Sequence, residues 1–318
     1  MLAEFHDYAP LEESFREAVL TGFSTTPKSV PSKWIYDERG SRLFGAVCEA
    51  PEYYPTRTEM ALLRTYADEI AALAGPDCAL IEFGSGASHK ALLLLDALTR
   101  PTVYAPVDID GETLRRTAES IATDYPETAV VAVRTDFTQP FPLPKAATRV
   151  SGTRLGFFPG TTIGNFEPDQ ANAFLGMCAE MLAGGGLVVG ADLRKERAIL
   201  EAAYNDTHGA CPRFNLNLLH RINQELDGNL DKNAFRHSAV YHGTRGRMNI
   251  GIESTRSQSA RIAGQEFHFE EREVIRTQVS YKYTIEGFQA LAVQSGFKPL
   301  RAWIDDANLF SLHYFHAP

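Results

Sequence analysis

Two hydrophobic rhythms divide the chain. Short runs that are apolar at nearly every position (Ala79–Phe83, Thr102–Val107, Val130–Val133, Arg154–Phe158 and Leu187–Asp192) are separated by stretches with helical spacing. Those stretches are Lys90–Leu98, Glu112–Asp124 and Pro168–Leu182, the last closed by Gly184, Gly185 and Gly186. Runs without polar alternation belong to strands covered on both faces, and strand–helix alternation builds a parallel sheet. The expected fold class is α/β. Upstream, Thr56 is expected to N-cap a helix with Glu59 completing a capping box, and Leu63, Tyr66, Ile70 and Leu73 share one face before Gly75 and Pro76 end it. After Asp192 the rhythm changes. A helical pattern (Arg213–Leu226) and alternating strand patterns (His237–Ser254, Glu266–Tyr283) predict an inserted antiparallel α+β piece. Ile285–Ser295 as a helix, then Lys298–Ile304 and Phe310–Phe315 as strands, predict a return to the first sheet.

This pattern predicts two domains in 318 residues: 56–192 plus 284–318, and 10–55 plus 193–283. The formal charge of −9 argues against a nucleic-acid or anionic-membrane partner, because either wants a basic face. No apolar run has the length of a membrane span, and Met1–Pro10, with Glu4, His6 and Asp7, lacks the apolar core of a secretory leader. Cys48, Cys78, Cys178 and Cys211 are scattered without a C-x-x-C, so reduced thiols in a cytoplasmic protein are expected, with no metal. A monomer is expected.

The chemistry collects at strand ends, where parallel sheets bind ligands. Glu82-Phe83-Gly84-Ser85-Gly86-Ala87-Ser88-His89-Lys90 falls where the first strand turns into a helix. Glycines let backbone approach a ligand, and a helix start offers unpaired N–H groups. The phosphate-loop spacing is absent, and a dinucleotide fingerprint is incomplete because His89 replaces its third glycine. What remains is S-adenosylmethionine (SAM), whose methionine end needs G-x-G backbone without a pyrophosphate cradle. After the second strand, Asp108 suits a ribose diol and Asp110 a helix N-cap. After the third, Asp136 suits an adenine amino group while Phe137 covers the ring. Three such elements point to a SAM-dependent methyltransferase, with an NAD(P)-dependent oxidoreductase and a ligand-binding regulator as alternatives.

Phe158–Phe166 (FPGTTIGNF), Lys33–Asp37 (KWIYD), Pro51–Glu59 (PEYYPTRTE) and Ala203–Asp206 (AYND), with the glycine turn, carry a resemblance running from about Lys28 to the C-terminus. The chain resembles the histidine-specific N-alpha-methyltransferases of ergothioneine biosynthesis. The resemblance implies a Rossmann-like class I SAM methyltransferase sheet with a second, α+β amino-acid-binding domain. It implies three methyl transfers from SAM to the α-amine of L-histidine, giving hercynine. By motif, Gly84, Gly86, Lys90, Asp108, Asp136, Phe137 and Gly160 would contact SAM. Asn165 and Tyr204 would hold the substrate carboxylate, and Tyr36 and Tyr53 would line the pocket, with Tyr36 nearest the amine as the catalytic candidate. Ser280 matches the family's imidazole contact and Met248 the side-chain pocket. Gln278 stands where the family has Glu, which removes a charge and weakens the expected hydrogen bond to an imidazole. Another acceptor, such as tryptophan, stays open on that ground. Read without the resemblance, Tyr36, Tyr53, Tyr204 and Met248 are packing residues, Lys90 a solvated first-turn lysine, and Ser280 an outward hydroxyl. Tyr54 is read as structural either way.

Overall fold

The computed structural model describes residues 4–8, 14–86 and 89–318. Ala87 and Ser88 of the glycine turn, and part of the Met1–Pro10 segment, lie outside the described residues. In chain order the elements are β1 (Glu4–Asp7), α1 (Phe15–Phe23), α2 (Glu38–Glu49), α3 (Tyr54–Ala74), β2 (Ala79–Phe83), α4 (His89–Ala97), β3 (Val103–Asp108) and α5 (Gly111–Asp124). Next come β4 (Ala129–Arg134), α6 (Lys145–Thr148), β5 (Arg154–Phe158), α7 (Pro168–Met181), β6 (Gly186–Asp192), α8 (Arg197–Tyr204) and α9 (Ala210–Glu225). The chain finishes with β7 (Phe235–His242), β8 (Arg247–Ser254), β9 (Gln258–Ile262), β10 (Gln265–Phe269), β11 (Val274–Tyr281), α10 (Ile285–Gln294), β12 (Lys298–Ile304) and β13 (Phe310–His316). Two compact units result: Met1–Leu11, Arg57–Leu193 and Tyr283–Pro318 form the first, Glu12–Thr56 and Arg194–Lys282 the second.

The first unit is an α/β sheet of Rossmann-like order, β1-β4-β3-β2-β5-β6-β13-β12. β1 to β6 run parallel, and β13 and β12 add antiparallel at one edge. Successive residues feed opposite faces: Leu80, Tyr104 and Ala132 enter one apolar layer, and Ile81, Ala105 and Val133 the other. Strand order reverses between β2 and β5, and the helices that follow them, α4 and α7, cover opposite faces, which is the switch point where open α/β sheets bind ligands. β1 was not expected. It pairs with β4 at the sheet edge, and its sequence, EFHD, carries none of the apolar run that marked the others. One local expectation fails. α3 begins at Tyr54, so Thr56 lies inside it rather than capping it. Glu59 is fully buried and completes no capping box, because its carboxylate is taken by partners described below.

The second unit holds a three-stranded antiparallel sheet, β11-β8-β7, and the β9–β10 hairpin. The alternating stretch His237–Ser254 folds as two strands, β7 and β8, joined by a turn that Gly246 closes at φ +62. Phe269 is met edge-on by Phe23 of α1 and by Phe235 of β7, which joins helix, sheet and hairpin in one core.

Candidate active site

In the first unit, β2, β3 and β4 bring the glycine turn, Asp108 and Asp136–Phe137 to their carboxyl ends. Gly84 and Gly86 have φ of +71 and +49, and a Cβ on Gly84 would lie 3.3 Å from the Phe137 ring. The Gly86 N–H donates to Asp108 Oδ2 at 2.9 Å, and the Asp110 N–H donates to Oδ1 at 3.0 Å. Burial pushes the Asp108 carboxyl above its usual range, and the two backbone donors oppose that rise. Two oxygens still leave it acceptor capacity for hydroxyl protons. Asp110 caps α5, as its spacing predicts. Asp136 Oδ1 accepts from the Thr138 N–H (3.0 Å) and hydroxyl (2.6 Å), while the Phe137 ring packs on Phe158 and Phe174.

Glu59 ties this turn region to the loop after β5. Its carboxylate accepts from Lys90 Nζ at 2.5 Å, and the Gly160 N–H donates to both of its oxygens at 2.9 Å. Lys90 therefore has a buried ionic partner rather than a solvated head. Space around that carboxylate is tight: a Cβ on Gly190 would come within 2.1 Å of Glu59 Oε1. Asn165 ends the short 3-10 turn Thr162–Asn165 that follows.

In the second unit, Tyr36 sits at the end of a 3-10 turn, Ser32–Ile35, fixed from α9. The buried Asn217 amide donates to Ile35 O (3.2 Å) and to Asp37 Oδ1 (2.7 Å), and the same Asp37 oxygen caps α2 through the Gly40 N–H. The Tyr36 ring meets Phe44 and Phe214 edge-on, Tyr53 meets Phe44 and Tyr204, and the three expected tyrosines join Phe44 and Phe214 in one aromatic cluster. Burial raises the Tyr36 and Tyr53 phenols well above their ordinary value, so both stay protonated at neutral pH. Tyr36 is thus a hydrogen-bonding group and not a phenolate base.

Beside the cluster, the Tyr204 hydroxyl and Ser280 Oγ lie 2.9 Å apart, and Lys282 Nζ donates to each at 2.8 Å. Lys282 is 1% exposed. Three donors around one buried ammonium suit a carboxylate. The sequence reading missed Lys282. The signal was its spacing of two from Ser280, which puts both on one side of a strand. Ser280 is buried, not outward, and Met248 is fully buried directly opposite it. Gln278 faces the same side, opposite Ile250.

The first set of residues fits a nucleoside-bearing ligand on two observations. The Ser85 hydroxyl is buried in the glycine turn with no hydrogen-bond partner among the described residues, and Gly84 leaves the space a Cβ would fill. Among the described residues, no group of His, Cys, Asp and Glu is placed to hold a metal, and no helix is long and apolar enough to cross a membrane.

Comparison with known proteins agrees. Residues 15–317 match the model of a family described as histidine-specific, SAM-dependent methyltransferases. The histidine N-alpha-methyltransferase of Mycolicibacterium smegmatis is 37% identical over 307 residues, 94% of each chain. That of Mycobacterium tuberculosis is 36% identical, again over 94% of each. Ergothioneine biosynthesis protein 1 of Neurospora crassa is 27% identical over 90% of this chain and 33% of its own length. The nicotinamide alternative is overturned by these matches. With residues 15–317 matching its model and two relatives 36–37% identical over 94% of the chain, the chain belongs to the histidine-specific, SAM-dependent methyltransferase family.

Proposed function

We propose that this protein methylates the α-amino group of L-histidine in successive steps to N,N,N-trimethylhistidine (hercynine), in ergothioneine biosynthesis. The observation that carries this reading is the buried Lys282–Tyr204–Ser280 cluster beside the Tyr36–Tyr53 rings. A free amino acid has the carboxylate that such a cluster would hold. The names of the relatives at 36–37% identity support histidine as that amino acid. On this reading the first unit is the SAM domain and the second the amino-acid domain. Gly84, Gly86, Asp108, Asp136, Phe137 and Gly160 hold SAM, with Lys90 steered by Glu59. Asn165 and Tyr204 hold the carboxylate.

SAM supplies a methyl group on a positively charged sulfur, a good leaving group that departs neutral. The chain's residues therefore need to align and desolvate rather than form covalent bonds, and alignment alone is worth up to about 7–11 kcal/mol in ideal cases. The amine must be neutral to attack. A nearby positive charge and burial both favour loss of its proton. In the first two transfers the Tyr36 phenol oxygen accepts an amine N–H and orients the lone pair; the third acts on a tertiary amine with no N–H once neutral, and before each transfer the ammonium proton leaves to water. The reading includes a cytoplasmic monomer without metal, and the acidic composition speaks against nucleic-acid or anionic-membrane partners.

Gln278 favours a second reading, the same reaction on another aromatic amino acid such as tryptophan, because a neutral amide lacks the charge that would hold an imidazolium while its oxygen still accepts from an indole N–H. Gln278→Glu separates the two. If histidine is the acceptor, its KM should fall about tenfold. A rise in the histidine KM, together with retained turnover of another amino acid, would favour the second reading.

A further inference from the structure

Three of the residues assigned to the amino acid in the proposed reaction, Met248, Gln278 and Ser280, occupy one face of the β11-β8-β7 sheet, and a single irregularity puts the two from β11 there. Opposed residues on antiparallel strands share a face. Ile275 opposes Ile252, Gln278 opposes Ile250, and Ser280 opposes Met248. Ile252, Ile250 and Met248 alternate along β8 and lie on one side. The register shifts between Arg276 and Gln278, so Thr277 is an extra residue. Without that shift, with Thr277 paired to Ile250 in the ladder, Gln278 would oppose Asn249 and Ser280 would oppose Arg247. The whole row, with Lys282 after it, would turn to the other face.

Three features fix the extra residue. The Thr277 hydroxyl donates to Asn215 Oδ1 at 2.6 Å and lies 3.2 Å from Ile250 O. The Asn215 amide donates to Gly251 O at 2.7 Å, on the partner strand, and is 3.0 Å from His237 Nδ1. Gly251 allows the close approach: a Cβ there would come within 2.6 Å of Ile275 O. The backbone of Arg276 turns outward and pairs with Lys28 O and the Val30 N–H, at 2.9 Å each. Asn215 and Thr277 are 2% and 3% exposed, so these bonds meet little competition from water. The chain of contacts continues. With Asn215 donating to Nδ1, His237 carries its proton on Nε2 and donates to Tyr204 O at 2.9 Å.

We infer that Asn215 and Thr277 are positioning residues for the acceptor amino acid. They pin the β-bulge that aims Gln278, Ser280 and Lys282 into the site, and through His237 they hold Tyr204 against the same row. This rests on the proposed amino-acid methylation. None of the three network residues needs to touch the substrate, and all three belong to the second unit, whereas the glycine turn that would bind SAM belongs to the first.

The test is a KM split in the full chain. Thr277→Val removes the hydroxyl and keeps the shape. It should raise the histidine KM at least about tenfold and leave the SAM KM within about twofold, while Thr277→Ser should restore the histidine KM to within about twofold. If Thr277→Val does not fold, Thr277→Ala reads the same quantity. An unchanged histidine KM in a folded variant overturns the inference, as do equal rises for histidine and SAM. Wild type in the same assay reports on the underlying reading: failure to methylate any amino acid overturns that reading and the inference with it.

Discussion

On the proposed reading, the two units supply their ligand-facing groups from different materials. In the first, the ligand-facing groups are mainly backbone and turn geometry: positive φ at Gly84 and Gly86, an N–H held by Asp108, and an N–H at Gly160 held by Glu59. In the second they are buried side chains from separate elements: Tyr36 after a 3-10 turn, Tyr204 from α8, and Ser280 and Lys282 at the end of β11. A ligand carrying many polar atoms is well served by rigid backbone at strand ends. A small zwitterion that must be told from similar ones is better served by side chains whose identity can change.

The contrast can be broken most strongly at Glu59. Glu59→Ala leaves the Lys90 ammonium without its carboxylate and the Gly160 N–H without an acceptor. Loss of one partner of a buried pair costs about 3–5 kcal/mol, and since Lys90 is partly exposed we expect about 3 kcal/mol of stability lost in denaturant titration. A loss below about 1 kcal/mol would show that the pair is not a structural anchor of the SAM half.

Lys282→Met probes the side-chain half. Hydrogen bonds to charged groups are worth about 1.5–3 kcal/mol, so the histidine KM should rise about 30-fold, with SAM affinity nearly untouched in calorimetry. Parallel losses for both ligands would erase the division of labour.

A smaller effect sharpens the comparison through pH. His313, in β13 of the first unit, is fully buried among Phe288 and Phe315, and burial lowers its pKa to about 4. Its ordinary value is 6.5, so below that the unfolded chain takes up the proton first. The stability His313 contributes is present above about 6.5 and lost as the pH falls towards 4. Between pH 7 and pH 5 wild type should lose about 1.5 kcal/mol more than His313→Gln, measured by chemical denaturation at both pH values. Equal losses in the two proteins would contradict the burial of a neutral imidazole.

The first unit was the more legible of the two in sequence, for the same reason its site is backbone-built. Apolar runs mark β2 to β6 directly, and glycines and aspartates at their ends mark the turns. β1 escaped because an edge strand of four residues needs no apolar run, and Glu59 was misread because a capping box and a buried ion pair ask for the same residue at the same place. In the second unit, periodicity marked strands but not their junctions: the turn within His237–Ser254 was invisible, as was the extra residue at Thr277. Neither changes the composition of the pattern. Each changes which face a residue shows. Lys282 was passed over because a lysine on a strand is ordinarily solvated, and its burial depends on Tyr204, 78 positions away in the chain.

The most direct measurement is mass spectrometry of the purified protein incubated with SAM and a mixture of the twenty amino acids. Histidine should be consumed, and mono-, di- and trimethylated histidine should appear in turn with the trimethylated form accumulating. Methylation of a different amino acid with histidine untouched, or S-adenosylhomocysteine formed with every amino acid intact, would contradict the assignment of the buried lysine–tyrosine–serine cluster to the binding of histidine.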